Sequence, residues 1–239
     1  MPKQLVFRFD TPETQSFDAF VAGENTLAVA MLRQLIRGAS ERQVLLWGSS
    51  GVGKTHLLMA TGAEAAELGL RVSYIPCLEF VAAFPMMLEG LEQRDLVLLD
   101  DVDALAGNRE AEEALFHCLN KLRDANVALV VTAATPPQQL PIQLADVRSR
   151  LGQGLVFRLS PLLDQDLLGA LRQWAQLYHI HLPEEVERYL LQHCSRQPAV
   201  LRELIQVLAE ATLQEQHRLT LQFVKNCIRD RTTVSQMAE

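Results

Sequence analysis

A glycine-rich loop between an apolar segment and a helical pattern most restricts how this chain can fold. The apolar segment is 44–47, and the helical pattern begins near Thr55. The loop consists of Gly48, Ser49, Ser50, Gly51, Val52, Gly53, Lys54 and Thr55. Its glycines let the backbone turn so that successive N–H groups point into one concave surface, which the positive end of the next helix also faces. We therefore expect a buried strand, a phosphate-binding loop and a helix.

The last residues of this loop predict binding of a nucleoside di- or triphosphate. Lys54 can reach the β- and γ-phosphates, and the Thr55 hydroxyl can coordinate Mg²⁺. His56 follows directly and is included in the expected binding segment. A glycine-rich turn without a ligand is the alternative, and the strand–loop–helix context disfavours it. The expected cofactors are ADP or ATP with Mg²⁺.

Apolar segments alternate with helical patterns through the first two-thirds of the chain. The predicted strands are 44–47, 72–75, 96–100, 129–132 and 156–159, and the helical patterns are 55–68, 78–91 and 110–125. This alternation predicts an α/β fold with a parallel five-stranded sheet covered on both faces. After residue 161 only helical patterns follow, at 164–179, 183–193, 199–214 and 220–229. They predict a small all-helical C-terminal subdomain.

Composition excludes several classes of function. The 239 residues carry a net charge of −7, which disfavours autonomous sequence-specific binding to duplex DNA. No apolar run approaches the roughly 20 residues of a membrane span, so no membrane association is expected. The four cysteines are scattered among apolar residues and indicate reduced core thiols in a cytoplasmic protein. The histidines show no metal-ligand spacing.

Two carboxylates at the end of the predicted strand 96–100 suggest a metal site. Asp100 and Asp101 follow four apolar residues, and a buried strand rarely ends in paired acids without a cation or a reacting water. In a protein with a phosphate-binding loop, Asp100 would hold Mg²⁺ and Asp101 would orient the attacking water. Asp103 is assigned to the turn that follows.

Polar residues after the later strands allow two interpretations each. Thr132 and Thr135 either sense the γ-phosphate or belong to ordinary strand-end turns. Arg148 and Arg150 are either solvated or include an arginine finger offered to the nucleotide of a neighbour. Arg202 either contacts phosphates or forms a surface charge pair.

The first residues of the chain form a short apolar segment with two interpretations. Residues 4–9 are either an edge strand or an extended peptide that inserts Leu5, Phe7 and Phe9 into the groove of a partner.

Several of these segments together resemble one family. Residues 17–25, 48–58, 96–101, 149–151 and 201–204 are similar to the AAA+ ATPase region of the bacterial replication initiator DnaA. The resemblance spans nearly the whole chain, but no counterpart of the initiator's helix-turn-helix domain is expected. Residues 4–9 resemble a peptide that docks on the DNA polymerase sliding clamp. The chain thus resembles the DnaA-related AAA+ regulators of the Hda type, with a clamp-binding peptide at 1–10, an α/β subdomain at 11–161 and a helical lid at 162–239.

This resemblance implies a negative regulator of replication initiation. Such a regulator binds ADP, docks on the DNA-loaded clamp and stimulates hydrolysis of ATP bound to DnaA. Arg150 would be the finger acting in trans, and Arg202 would be the lid arginine near the phosphates. The other implied contacts are those with the adenine, from Phe17, Val21 and Asn25, and those with the clamp, from Gln4, Leu5, Phe7 and Phe9. Self-association is expected because AAA+ modules assemble head to tail.

Two positions depart from AAA+ proteins that hydrolyse their own ATP. Asp101 stands where such motors commonly carry glutamate, and Ala134 stands where the DnaA family tends to carry a polar residue. We therefore expect weak or no intrinsic ATPase activity. A helicase loader or replication motor that uses its own hydrolysis cycle is the first alternative, and a nucleotide-dependent adaptor without catalysis is the second.

Overall fold

The computed structural model describes residues 16–215 and 219–236 of the chain. The chain forms two compact units, and the boundary between them lies between Pro161 and Leu162. All strands of the described ranges lie in the first unit, and the second contains helices. An α/β fold followed by a helical subdomain is therefore confirmed.

A parallel five-stranded sheet forms the centre of the first unit. Its strands are β1 (Gln43–Trp47), β2 (Val72–Pro76), β3 (Leu96–Asp100), β4 (Ala128–Ala133) and β5 (Leu155–Arg158). They lie in the order β2-β3-β4-β1-β5, and every neighbouring pair is parallel. Each strand begins and ends within one residue of its predicted bounds.

Alternate residues of the central strands supply two hydrophobic clusters, one on each face of the sheet. In β1, Leu45 belongs to one cluster, whereas Val44 and Leu46 belong to the other. Successive side chains of a strand point to opposite faces, so continuous apolar strands require cover on both sides. The helices provide this cover, which confirms the layered arrangement predicted from the sequence.

The helices of the first unit divide between the two faces. They are α1 (Thr26–Ile36), α2 (Lys54–Glu67), α3 (Phe84–Met87), α4 (Arg109–Asp124) and α5 (Ala145–Leu151). Apolar residues of α1 and α2 join the cluster of Leu46, and those of α4 and α5 join the cluster of Leu45. Of these helices, α1 and α5 have no counterpart among the predicted ones.

The segment between β2 and β3 corrects the helix predicted over 78–91. It contains turns and the four-residue helix α3, followed by a 3-10 turn at Leu91–Gln93. Pro85 lies in the first turn of α3; proline has no N–H to donate to a preceding turn and disfavours helical geometry in the residue before it. Gly90 has a φ of 72°, which ends any continuing helix. The apolar residues of 78–91 are therefore spaced by the need to bury side chains such as Phe84, and not by a continuous helix.

The second unit is a small helical subdomain with its own core. It contains α6 (Asp164–Leu177), α7 (Glu184–His193), α8 (Pro198–Glu215) and α9 (Leu221–Gln236). The buried apolar residues include Leu167, Leu171, Trp174, Val186, Leu190, Leu201, Ile205, Leu208 and Val224. The Arg172 guanidinium forms a two-pronged ion pair with the buried Glu187 carboxylate, at 2.8 and 2.9 Å.

None of the helices built from the described residues is both long and apolar enough to cross a membrane.

Candidate nucleotide-binding site

The carboxyl ends of β1, β4 and β3 meet where the glycine-rich loop begins. Leu46 of β1 is in register with Thr132 of β4, whose hydroxyl donates a hydrogen bond to Asp100 of β3. Neighbouring strands lie about 4.8 Å apart, so Asp100 is about 10 Å from Leu46 across the sheet. The Gly48 N–H donates to the carbonyl oxygen of Ala133 over 3.3 Å and fixes the start of the loop.

Two glycines of the loop occupy positions that no other residue fits. Gly48 has a φ of 155°, and a Cβ there would lie 2.9 Å from the Leu159 carbonyl oxygen. Gly53 has a φ of 96°, and a Cβ there would lie 2.7 Å from Cε2 of Phe20. Both the backbone conformation and the close contacts therefore require glycine.

Lys54 places a positive charge inside the loop. It is the first residue of α2 and is buried, and its Nζ donates to the carbonyl oxygens of Gly48 at 3.0 Å and Ser49 at 3.3 Å. The N-terminus of the 14-residue helix α2 adds unpaired N–H groups and the positive end of its dipole. The exposed Thr55 follows on the same turn. This combination fits a phosphate group.

Asp100 is a buried carboxylate held by two hydroxyl groups. It is 4% exposed, the Thr132 hydroxyl donates to its Oδ1, and the Tyr74 hydroxyl donates to its Oδ2 over 3.1 Å. Burial and the charge of Asp100 raise the pKa of Tyr74, so its hydroxyl stays a donor. A carboxylate and a threonine hydroxyl are oxygen ligands of the kind that Mg²⁺ prefers, so Asp100 and Thr55 fit this cation.

Asp101 has an uncommon backbone conformation at the same edge. Its φ and ψ are 50° and 55°, a left-handed geometry rare outside glycine, and its N–H donates to the Thr132 hydroxyl over 2.7 Å. Burial and the neighbouring Asp100 raise the pKa of the Asp101 carboxyl, and Lys54 opposes this effect. Strained conformations of this kind cluster at functional sites.

Asp103 joins the loop after β3 to the loop after β4. It lies in the 3-10 helix Val102–Leu105, and its Oδ1 accepts the Ala134 N–H over 2.9 Å. The Thr135 hydroxyl oxygen is buried and has no hydrogen-bond partner within residues 16–215 and 219–236. Ala134, which stands where the DnaA family tends to carry a polar residue, thus lies beside the Asp103 carboxylate.

The segment before α1 packs against the loop and the start of α2. The His56 Nε2–H donates a hydrogen bond to the Ser16 carbonyl oxygen over 2.9 Å, and the ring centroid of His56 lies 5.4 Å from that of Phe20. Phe20, which contacts Gly53, was not singled out by sequence reasoning. The sequence signal that could have identified Phe20 is its position three residues after another aromatic residue, Phe17.

The residues expected near the adenine lie in this segment. Phe17 is 6% exposed and packs in the core beneath the Arg33 guanidinium, 4.9 Å from its ring centroid. Asn25 is buried and exchanges two hydrogen bonds with the Ser160 backbone, at 2.9 and 2.8 Å. Val21 is half-buried. Their contact with adenine stays a prediction.

The two arginines of α5 have different surroundings. Arg148 donates to the backbone carbonyls of Ile142 and Gln143, whereas Arg150 donates to the exposed side chain of Gln153 over 3.1 Å. Arg150 forms no ion pair within the described part of the chain. Both residues are half-buried, but Arg148 is bound to backbone carbonyls of its own unit, whereas the Arg150 guanidinium contacts an exposed glutamine side chain.

The backbone of Arg150 lies at the opposite edge of the sheet from the glycine-rich loop. The Gln43 side-chain amide, at the start of β1, donates to the carbonyl oxygens of Arg150 and Leu151 at 2.9 and 3.1 Å. The loop follows Trp47, at the other end of β1. At roughly 3.3 Å per residue, the two ends of this strand are about 13 Å apart.

Glu112 was missed by sequence reasoning. It is 1% exposed, and its carboxylate accepts N–H groups from Gly107, Gln143 and Leu144. Burial alone would raise its pKa, but these donors and the Arg148 charge outweigh burial and lower it. The sequence signal that could have identified Glu112 is its spacing. It precedes Leu115 by three residues and Leu119 by seven, which places a carboxylate on the buried face of α4.

Two predicted regions stay untested by this geometry. Arg202 lies in α8 of the second unit, where burial lowers the pKa of its guanidinium and Tyr178 opposes this effect. Gln4, Leu5, Phe7 and Phe9 lie outside the described residues.

The strand order, the loop after β1 and the paired carboxylates after β3 together define a P-loop NTPase fold of the AAA+ class. The helical second unit completes that architecture. The chain belongs to the family of bacterial DnaA ATPase domains, whose model matches residues 12–158. A second model, described as the Hda lid domain, matches residues 164–228. Together they mark a DnaA-related protein of the Hda type.

Solved structures agree with this assignment. Domain III of the Thermotoga maritima replication initiation protein DnaA is 26% identical, with a TM-score of 0.79 over 92% of this chain and 97% of that chain. AMPPCP-bound DnaA from Aquifex aeolicus is 24% identical, with a TM-score of 0.74 over 92% and 71%. The RuvB branch migration motor of Thermotoga maritima, at 21% identity and a TM-score of 0.68 over 93% and 73%, shares the fold alone.

Proposed function

We propose that this chain is a negative regulator of chromosomal replication initiation that acts on DnaA. It binds an adenine nucleotide, ADP being the working ligand, and docks on the DNA-loaded sliding clamp. It then stimulates hydrolysis of the ATP bound to DnaA. The family membership and the Hda-type lid support this role.

Nucleotide binding by the chain rests on the loop and its lysine. Gly48 and Gly53 shape the loop, and Lys54 with the N-terminus of α2 supplies the positive charge for the phosphates. A DnaA structure that contains AMPPCP supports the adenine nucleotide as the ligand class. Thr55 and Asp100 are proposed to hold Mg²⁺, which would neutralise phosphate charge in the bound complex. The remaining proposed contacts are Ser49, Ser50, Gly51, Val52, His56, Phe17, Val21, Asn25 and Arg202.

The position of Arg150 is the observation that carries the action in trans. Its backbone lies beside the amino end of β1, one strand length from the loop that follows the carboxyl end. A partly exposed guanidinium at that edge is offered away from the chain's own phosphate site. Arg148, bound to backbone carbonyls of its own unit, is not available in this way.

The chemistry takes place on the nucleotide of the partner. A water oxygen bonds to the γ-phosphorus while the bond to the bridging oxygen breaks, which yields ADP and phosphate. The Arg150 guanidinium would neutralise charge that develops on the transferred phosphoryl group, an effect worth on the order of 10³-fold or more for arginine fingers. Asp101 is proposed to orient water in the chain's own site, where Ala134 keeps turnover slow.

Docking of residues Gln4, Leu5, Phe7 and Phe9 on the clamp would bring the chain to DNA. Because the net charge is −7, we propose that DNA is reached through the clamp and not by sequence-specific contact. A head-to-tail contact with DnaA would also permit self-association, in the cytoplasm.

Single-turnover hydrolysis tests the proposal. DnaA loaded with labelled ATP is mixed with clamp on DNA and with the full chain, its Arg150→Ala variant or an Arg123→Ala control. Arg123 is a surface arginine in the last turn of α4, a different helix of the same unit. We expect stimulation by the wild type and the control, and loss of stimulation by on the order of 10³-fold for Arg150→Ala.

Other outcomes would point to the alternatives. Vigorous steady-state ATP turnover by the isolated chain would favour the helicase loader or motor. Clamp binding with no stimulation by the wild type would favour the adaptor. Clamp binding that persists without residues 1–9 would contradict the peptide assignment.

A further inference from the structure

In the segment that leads into α5, side chains bind both backbone N–H groups and backbone carbonyl oxygens. The Glu112 carboxylate accepts the Gln143 N–H at 2.9 and 3.1 Å and the Leu144 N–H at 2.9 Å. The Arg148 guanidinium donates to the carbonyl oxygens of Ile142 and Gln143. Leu144 is the N-cap residue that directly precedes α5. The start of this helix is therefore fixed by two charged side chains.

The end of α5 is fixed by a third side chain. The Gln43 amide donates to the Arg150 and Leu151 carbonyl oxygens, and Val147 and Leu151 are fully buried in the core. The helix has seven residues, so these contacts leave little of it free to move. The direction of the Arg150 side chain then depends on where both ends are held.

We propose that Glu112 is a positioning residue for Arg150, because its buried carboxylate fixes the start of the helix that carries the finger. This inference rests on the function proposed for Arg150. The Glu112 carboxylate also accepts the Gly107 N–H over 2.9 Å, so the loop after β3 and the segment before α5 share one acceptor. Glu112 touches no substrate and acts through α5.

A Glu112→Gln substitution replaces the carboxylate that accepts these backbone N–H groups by an amide of almost the same volume. The carboxylate offers two acceptor oxygens, whereas the amide offers one oxygen and an NH₂ group that is a donor. At least one of the backbone N–H groups would then face a donor inside the protein. We expect the start of α5 to loosen while the sheet and the phosphate loop stay intact.

Amide hydrogen exchange on the full chain tests the structural part directly. We expect the N–H groups of Gln143 and Leu144 to exchange about 10-fold faster or more in Glu112→Gln, while those of β1 are unchanged. Glu113→Gln is the matched control, because Glu113 is the neighbouring residue on α4 and is exposed. Equal protection of Gln143 and Leu144 in wild type and Glu112→Gln would overturn the inference.

Hydrolysis of DnaA-bound ATP tests the positioning part. A misplaced finger lowers the maximal rate, so we expect a fall of about 10- to 100-fold at saturating chain, with the half-saturating concentration unchanged. General loss of the fold would instead raise the half-saturating concentration and weaken nucleotide binding by the chain. An unchanged maximal rate would overturn the inference.

A double-mutant cycle separates this inference from the proposed function. If Glu112 acts through Arg150, adding Glu112→Gln to Arg150→Ala lowers the rate no further. An equal further fall in the Arg150→Ala background would mean that Glu112 acts elsewhere and would overturn the inference. If Arg150→Ala alone had no effect, the proposed function would fail, and hydrogen exchange would still decide whether Glu112 holds α5.

Arg148→Ala keeps the test decisive if Glu112→Gln does not fold. Arg148 is half-buried, and its removal frees the Ile142 and Gln143 carbonyls from the other side of the same segment. We expect faster exchange at Gln143 and Leu144 in this variant also. Unchanged exchange in the Arg148→Ala variant would contradict the proposed fixation of α5.

Discussion

The backbone N–H of Asp101 donates a hydrogen bond to the Thr132 hydroxyl over 2.7 Å. The same hydroxyl donates onward to Asp100, so one threonine links the ends of β3 and β4, orients the Asp100 carboxylate and holds the Asp101 backbone. Because Thr132 is fully buried, no water can replace these bonds without a rearrangement.

Thr132→Val tests this link by removing the hydroxyl at nearly constant shape. The variant leaves the Asp101 N–H and an Asp100 oxygen without their partner, so we expect it to be about 1–3 kcal/mol less stable in urea unfolding. Thr132→Ser keeps the hydroxyl and is the control. A valine variant as stable as the wild type would show that the link contributes nothing.

Tyr74→Phe tests the second hydroxyl on Asp100. Groups that orient a metal ligand typically contribute 10- to 100-fold in metal affinity. We expect the Mg²⁺-dependent part of the nucleotide affinity to fall by about 10-fold, with affinity in EDTA unchanged. Titration of a fluorescent nucleotide with and without Mg²⁺ measures both values, and Tyr189→Phe in the second unit is the control. Equal weakening in EDTA would place the effect on the nucleotide itself.

Two glycine substitutions are expected to change stability in opposite directions. A Cβ on Gly154 would lie 2.3 Å from the Gln43 carbonyl oxygen, so Gly154→Ala forces β5 away from β1 and costs about 1–3 kcal/mol. A Cβ on Gly169 meets nothing within 4 Å in α6, and alanine there favours the helix by about 0.5–1 kcal/mol. Thermal unfolding of both variants measures the signs. A Gly154→Ala variant as stable as the wild type would contradict the close approach of Gly154 to Gln43, and a destabilised Gly169→Ala variant would contradict the open space in α6.

The lowered pKa of Glu112 predicts a pH-dependent contribution to stability. A carboxylate whose folded-state pKa lies below its unfolded value of about 4.3 stabilises the fold above that pH, and the contribution is lost as the pH falls through the folded-state pKa. Glu112→Gln should therefore be destabilised by about 1–3 kcal/mol at neutral pH, and the difference from wild type should shrink in acid. Urea unfolding at several pH values checks this. For Glu113→Gln we expect a small difference with little pH dependence.

The cysteines should react at two different rates. The four cysteines differ in burial: Cys77 and Cys118 are buried, whereas Cys194 and Cys227 are half-buried. Burial raises the pKa of Cys118 to about 12, which leaves almost no reactive thiolate at neutral pH. We expect iodoacetamide to label Cys194 and Cys227 before Cys77 and Cys118, as judged by mass spectrometry. Simultaneous labelling of all four would indicate global opening.

The sheet was predictable because its strands carry a signal that is purely local. Continuous apolar segments such as β3 predict burial on both faces without knowledge of their neighbours. The prediction of a helix over 78–91 was wrong. It relied on the apolar spacing and gave too little weight to Pro85, whose missing N–H limits helix length. The prediction that all four cysteines are core residues was likewise too broad, since two are half-buried.

The site was predictable only where one segment carries the chemistry. Gly48 to Thr55 are contiguous, so their spacing alone indicates the phosphate-binding loop. Glu112 and Tyr74 act on groups that lie 26 or more residues away in sequence. Such contacts depend on strand order and helix packing, which no local pattern specifies.

The length of strand β1 sets the distance between the phosphate loop and the backbone of Arg150. The phosphate loop extends from one end of the strand, and Gln43 attaches the backbone of Arg150 to the other. Under the proposed function, the length of β1 would set the distance between the nucleotide of this chain and the nucleotide that Arg150 reaches. One residue inserted into β1 would change the distance between the phosphate loop and the Arg150 backbone, and would shift the register of β1 against its neighbouring strands.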